Sequence, residues 1–484
     1  MPQLDAGRLL RWVARAAIAL AGQIVLIALA WVLSNLRDID PVPRPAALAL
    51  LTPTVPDENN AFFALVGLRA QADRDAAVVG RALWRLREAT PIPSWPRLDV
   101  KAFEAEQVAE REVLGESQPL PKQLLCDPSQ PDCVATWIAQ AETLGAQRLA
   151  QSVVGQRCEK LLDERFAFEE LLPTVLHAAG PIAAHASTAV QCSNWLLSGA
   201  VLNWTRHRPV PSVALFVQAD RLSRALLAGS RTLVAQMIAL RTARHTTIAI
   251  ATLALRDPAM TIALAPLLAP WPDSVQGVRG WMVTEATFGR TMVSPVLRDC
   301  YSSVDVVGDE SLSWLEGAKG RLDSFMCRHH IGWHPERTLA ALDEMWLHKI
   351  AALDVGLPAA IEKAAAERKA AEGEGVMGLL SWRNTLGNIL VGVGRPAFDN
   401  YVARQADIEL QREATVLALS AMAVAPADRA AWTARQPQST LTQNRLNWDA
   451  TGHTLTARSW QQEYAVGGAF NGARDAIQIT LPNP

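Results

Sequence analysis

The strongest constraint on this chain is an apolar run near its start. From Ala16 to Leu33 the sequence reads AAIALAGQIVLIALAWVL, interrupted only by Gln23. It lacks the polar stripe at 3.6-residue spacing that a helix packed on a core would show. Eighteen helical residues rise about 27 Å, close to the roughly 30 Å hydrocarbon core of a bilayer. Arg8, Arg11 and Arg15 precede the run, and Asp38 and Asp40 follow it. The positive-inside rule therefore predicts a cytoplasmic N-terminus over residues 1–15, a transmembrane signal anchor over 16–36, and everything after it outside. Arg8, Arg11, Arg15 and Trp31 are the expected membrane-interface residues, and membrane lipid is the first expected partner.

The rival reading is a cleavable signal peptide, for which Ala28-Leu29-Ala30 supplies small residues ahead of Trp31. Against it, the apolar run continues through Trp31-Val32-Leu33, beyond the about 7–15 residues of a cleaved segment. Both readings export the remainder. Three later apolar stretches, 175–202, 246–271 and 376–393, carry His177 and His185, Arg256-Asp257, and Arg383 respectively. A charge at mid-bilayer costs about 2.5–3.5 kcal/mol, so these are expected to be core helices rather than further spans.

Composition narrows the function classes. Of 484 residues 50% are hydrophobic and 19% charged, and the formal net charge is −2. A disordered chain needs the opposite balance, and a near-neutral chain has no global field to draw in nucleic acid, so no nucleic-acid partner is expected. The six cysteines, Cys126, Cys133, Cys158, Cys192, Cys300 and Cys327, all lie downstream of the apolar run. An even count there fits structural disulfides formed in an oxidising compartment. Cys126 and Cys133 bracket the turn-rich DPSQPD and are the favoured pair. Cys158–Cys192 and Cys300–Cys327 follow by sequence order, but six cysteines permit fifteen pairings and spacing does not choose among them.

The fold class predicted is mainly α: one N-terminal transmembrane helix, then a large helical exported body with a small C-terminal β-hairpin element. Residues 37–57, with Pro41, Pro43, Pro45, Pro53 and Pro56, read as a spacer. A helical periplasmic region is expected over 58–271 and a second helical region over 272–435. Separate helices are expected over 230–243 and 245–254, and the polar helix 357–372 is expected to end at the glycines Gly373 and Gly375. In the C-terminal β element, 436–484, Leu446–Asp449 and Thr454–Ala457 flank a turn as a hairpin, with 476–481 a further strand. The sixteen tryptophans read mainly as core pieces.

Motifs for chemistry are sparse. Gly373-Glu-Gly-Val-Met-Gly378 matches GxGxxG, but a helix rather than a strand precedes it and a Glu would repel a pyrophosphate. The densest metal-competent stretch runs from Cys327 to Glu336, with His330, His334 and Glu336 the candidate ligands. Gly332 and Pro335 interrupt the helix that would align the two histidines, so no metal and no cofactor is expected. Neither a GxSxG elbow nor an SxxK motif occurs. Glu169 and Glu170 are adjacent carboxylates, and adjacency alone does not make an acid–base pair. With no catalytic residues identified, the expectation is a membrane-anchored, non-catalytic periplasmic protein of a bacterial envelope. It would bind or scaffold another envelope protein or neutralise a toxin. The alternative is a membrane-tethered hydrolase, metal-assisted at His330 and His334. A lipid carrier, recognisable by a long apolar cavity, is a third class.

Overall fold

The computed structural model describes residues 6–34, 39–89, 108–115, 124, 133–161, 167–172, 184–271, 274–298, 334–379, 384–449, 453–461 and 476–481. Helix α1 (Ala6–Ser34) contains the apolar run. Over Ala14–Leu33 its mean hydropathy is 2.4 and none of it is buried. Ile18, Val25 and Leu26 are each more than 60% exposed. Apolar side chains facing outward around a helix need an apolar solvent, which is the chemistry of a membrane span or of a signal sequence. Among the described residues this is the one helix long and apolar enough to cross a bilayer.

The chain divides into two compact units. The first comprises Met1–Ala46, Gly289–Met345 and Glu367–Ala397. Within it Arg290 pairs with Asp343. Asn384, in the left-handed region at φ 56°, accepts the His334 N–H at 2.8 Å and the Thr338 hydroxyl at 3.1 Å. An Asn tolerates that backbone better than most residues do.

The second unit comprises Ala47–Phe288, Trp346–Ala366 and Phe398–Pro484. It opens on α2 (Ala61–Val66) and α3 (Ala76–Ala89). Asn60 caps α2 by accepting the Phe62 N–H, and Phe62, Phe63 and Leu65 go into the core. The two helices meet at glycines: a Cβ on Gly80 would lie 1.8 Å from the Phe63 carbonyl oxygen. Short helices α4 (Cys133–Ala139), α5 (Ala141–Ala150) and α6 (Ser152–Lys160) pack on α7 (Ala184–Thr205). A disulfide joins Cys158 of α6 to Cys192 of α7. Cys133 is also disulfide-bonded, and the other three cysteines lie outside the described residues.

Helices α7, α8 (Pro209–Gly229) and α9 (Leu233–Arg256) form the central layer. Pro209 starts α8, where a missing N–H does no harm, and Thr232 caps α9 by accepting the Ala235 N–H. Ala243, Ile250, Leu253 and Ala254 of α9 are fully buried, as expected of a core helix. One continuous helix replaces the two expected over 230–254, because Arg244 and His245 lie on its half-buried side and leave the ladder intact.

Beyond α10 (Pro258–Leu264) come α11 (Ser274–Arg298), α12 (Pro335–Leu353), α13 (Leu357–Leu379), α14 (Thr385–Ala421) and α15 (Arg429–Arg435). α13 continues past Gly373 and Gly375 instead of stopping there. An isolated helical glycine costs only about 1 kcal/mol, which the flanking helix formers absorb. The chain ends in an antiparallel sheet of order β1 (Leu446–Asp449), β2 (Thr454–Arg458), β3 (Ala476–Thr480). Leu455 and Ile479 face one another on its buried side. Trp137, Trp195, Trp271, Trp281, Trp346 and Trp460 are all buried, in keeping with tryptophan as core material.

Candidate functional site

The adjacent carboxylates Glu169 and Glu170 are both buried and face different partners. Glu169 accepts the N–H groups of Thr54 and Val55 at 2.7 Å and pairs with Arg231, so it fastens the extended segment that precedes α2. Glu170 accepts the Arg231 N–H at 2.6 Å and the Thr232 N–H and hydroxyl at 2.8 Å, at the start of α9. Its Oε1 lies 3.7 Å from His185 Nε2. Burial pushes the Glu170 carboxyl up to about 7 against those hydrogen bonds, with Glu285 adding to the rise. Burial, and then Arg87, holds His185 down at about 3. The pair is sealed and internally satisfied, which marks it as a structural latch.

The latch has a pH signature. A carboxyl raised in the folded state contributes stability below its unfolded value that is lost as pH climbs through about 7. A histidine held down does the reverse, losing stability as pH falls below its ordinary value. Glu170→Gln, which mimics the protonated acid, is expected to match the parent near pH 5 and to exceed it above pH 7. The gain should grow by about 1 kcal/mol per pH unit between those limits. Urea unfolding at pH 5, 6, 7 and 8 measures this, and an equal loss at all four would show that the carboxylate serves as an anion.

An open site lies elsewhere, between α9, α14 and β3. Two adjoining hollows of about 280 Å³ and about 550 Å³ share Arg244, Gln411 and Ile477. The first is lined by Arg241, Arg244, His245 and Arg404, with Met237 and Ile408 as apolar wall. Burial, then Arg241 and Arg244, holds His245 down at about 4, so at neutral pH the positive charge here belongs to guanidinium groups. Arg404 stacks 5.2 Å from the Tyr401 ring. The carboxylate lining the hollow is Asp407, which accepts from Ser459 Oγ at 2.7 Å, Trp460 N at 2.6 Å and Gln461 Nε2 at 2.7 Å. It is thereby committed to anchoring the sheet.

Ser459, His245 and Asp407 are the residue types of a hydrolytic triad, yet their connectivity is wrong for one. The Ser459 hydroxyl donates to Asp407, and no hydrogen bond joins it to His245. An imidazole held at about 4 is also a poor general base at neutral pH. What this arrangement presents is guanidinium groups beside apolar surface in an open hollow.

The residues expected from sequence to carry chemistry are not gathered at this site. His334 is buried immediately ahead of α12, where its carbonyl accepts the Thr338 hydroxyl at 2.8 Å. Glu336 sits in the first turn of α12, and His330 lies outside the described residues. Among the described residues no three His, Cys, Asp or Glu side chains cluster as metal ligands. Arg8, Arg11 and Arg15 lie on the first turns of α1, and Trp31 near its end. Sequence reasoning missed Arg241, Arg244 and Arg404. The signal was there in LRTARHTT, a basic patch on an otherwise apolar helix, but splitting α9 hid its alignment with the stripe that follows.

Compared with known protein families, with characterised proteins and with solved structures, the chain has no match.

Proposed function

We propose that this chain is a membrane-anchored binding or scaffold protein of a bacterial envelope. In this reading α1 holds it in the inner membrane, with Arg8, Arg11 and Arg15 cytoplasmic and the body in the periplasm. The observation that carries the reading is the Cys158–Cys192 disulfide, buried in a body that follows one apolar, basic-flanked helix. Such bonds persist in oxidising compartments and are rare in the cytosol. The open hollows beside α9 support a binding role, and the sealed state of the Glu169–Glu170 network argues for structure rather than turnover.

Alkaline phosphatase and GFP, each fused after Pro484, test the topology. An active phosphatase and a dark GFP are expected. Carbonate washing should leave the protein in the membrane pellet with the α1 residues intact by mass spectrometry. A bright GFP with inactive phosphatase would overturn the export reading, and release of a chain lacking α1 would replace the anchor with a cleaved signal.

A further inference from the structure

We propose that one end of the central helical layer, where the turn from α7 to α8 meets α10, is a docking tip for the surface of an anionic phospholipid bilayer. The proposal goes beyond the binding role above and leans on it only for a bilayer within reach, which α1 would supply.

Two corners of the chain come together at this end, and residues 184–271 are described without a break. Trp204 Nε1 donates to Asp257 Oδ2 at 2.9 Å, which joins the end of α7 to the turn between α9 and α10. α8 packs on α10. His207, in the left-handed region at φ 57°, donates its N–H to the Trp204 carbonyl at 2.9 Å and turns the chain outward. Every residue from Arg206 to Pro211 is exposed.

Helical spacing then sets which side chains face water. Ser212 and Phe216 of α8 and Met260 and Leu264 of α10 are buried. Val210 and Ile262 lie off those faces and are 79% and 83% exposed. Singly exposed apolar side chains are ordinary on a soluble surface. These two share one end of the body with cations that have no partner.

Arg206 and Arg208 flank His207, and neither guanidinium has an ion-pair or hydrogen-bond partner among the described residues. Packing positions the first of them: a Cβ on Gly145 of α5 would come within 2.7 Å of the Arg206 Nη2. Glu142, one turn of α5 before Gly145, is not paired with it. Asp257 is an acid of this end, and its oxygens are taken by Trp204 and by the Ala259 N–H at 2.9 Å. Arg256 is already engaged and adds nothing to the free charge.

Charge and exposure together select the occupant. Guanidinium groups fork onto phosphate oxygens, and apolar side chains beside them reach just below the headgroups, the combination that holds a protein to an anionic bilayer surface. A second copy of the chain would bring the same cations to this tip and be repelled. A nucleic acid would leave Val210 and Ile262 in water.

The test places a nitrobenzoxadiazole label at Ala263→Cys, an exposed position beside Ile262, in the full chain reconstituted into phosphatidylcholine vesicles with or without phosphatidylglycerol. The unsubstituted chain given the same reagent sets the background. Emission is expected to rise about twofold, and to be quenched by lipids carrying a doxyl group near the headgroup, only where phosphatidylglycerol is present. Arg206→Gln with Arg208→Gln should lower the docked-to-free ratio about thirtyfold, near fivefold for each arginine, while Lys at both positions keeps most of the docking. Val210→Ser with Ile262→Ser should abolish the doxyl quenching, and circular dichroism should be unchanged in every variant. Equal signals in the two kinds of vesicle, no rise in either, or a glutamine pair that docks like the parent would overturn the proposal. Loss of the signal in millimolar inorganic phosphate would overturn it in favour of a free anion, and a signal that follows protein density instead of lipid charge would overturn it in favour of a second copy. The fusions report where the body resides and this label reports what the tip touches, so the two readings fail separately.

Discussion

Replacing Arg412 by Leu is expected to remove about 3–5 kcal/mol of stability, the range found when one partner of a buried ion pair is deleted. Arg412 lies on α14 with no solvent exposure. Its guanidinium reaches Asp220 Oδ1 at 3.3 Å and Thr247 Oγ1 at 3.4 Å, and donates to the carbonyls of Leu267 and Ala269, the latter at 2.9 Å. Its Cζ also stands 3.9 Å from the centre of the Trp271 ring. One side chain thus ties α8, α9 and the turn after α10 to α14. Burial lowers its pKa to about 10, so it remains a cation at neutral pH.

Deleting it strips a donor from two carbonyls, leaves a void under Trp271, and takes away the charge that most opposes the rise of Glu409. Burial already pushes that carboxyl up to about 7, and without Arg412 it moves further up. Arg224→Leu is the control. Arg224 also bonds Asp220, at 2.6 Å, but is one-third exposed, so a loss below about 1 kcal/mol is expected. Lys at 412 should rescue poorly, because an ammonium cannot reproduce the planar fork. Urea unfolding of the detergent-solubilised protein, followed by tryptophan fluorescence, reads all three variants. A loss under 1 kcal/mol for Arg412→Leu would mean that the network is decorative.

How far the sequence revealed this architecture depended on how local each signal was. Helix α1 was legible because hydropathy refers to the solvent and needs no partner. The start of α12 at Pro335 and the pairing of β1 with β2 were legible for the same reason, since caps and hairpin pairings are settled within a few residues. The break expected inside α9 and the end expected for α13 at a pair of glycines were misplaced, because the helical ladder runs on through both. The first hollow beside α9 was not legible at all. It is assembled from Arg244, Arg404 and Ile477, and no local period relates positions so far apart. The Cys158–Cys192 pair lies between these cases: sequence order offered it, and only the packing of α6 on α7 selects it.

That crosslink carries the second large effect. It closes a separation of 34 residues, for which the chain-entropy estimate gives about 4 kcal/mol. The surroundings make a native-state penalty small, because α6 and α7 are already fitted to one another. Trp195 donates its Nε1–H to Glu159 at 3.1 Å, and Arg148 stacks 3.9 Å from the same ring. At Gly155 any Cβ would fall 1.9 Å from that indole. The double variant Cys158→Ala, Cys192→Ala should therefore keep the fold and its helical signal while losing about 3–4 kcal/mol to urea. Both cysteines are at most 3% exposed, so a reductant meets the bond only after the helices part. Dithiothreitol alone should leave the pair oxidised for hours, whereas the same reagent in urea just below the midpoint should release both thiols to a maleimide label together. Prompt reduction without urea would show that α6 opens locally, and a double variant as stable as the parent would remove the crosslink from any account of how this body holds together.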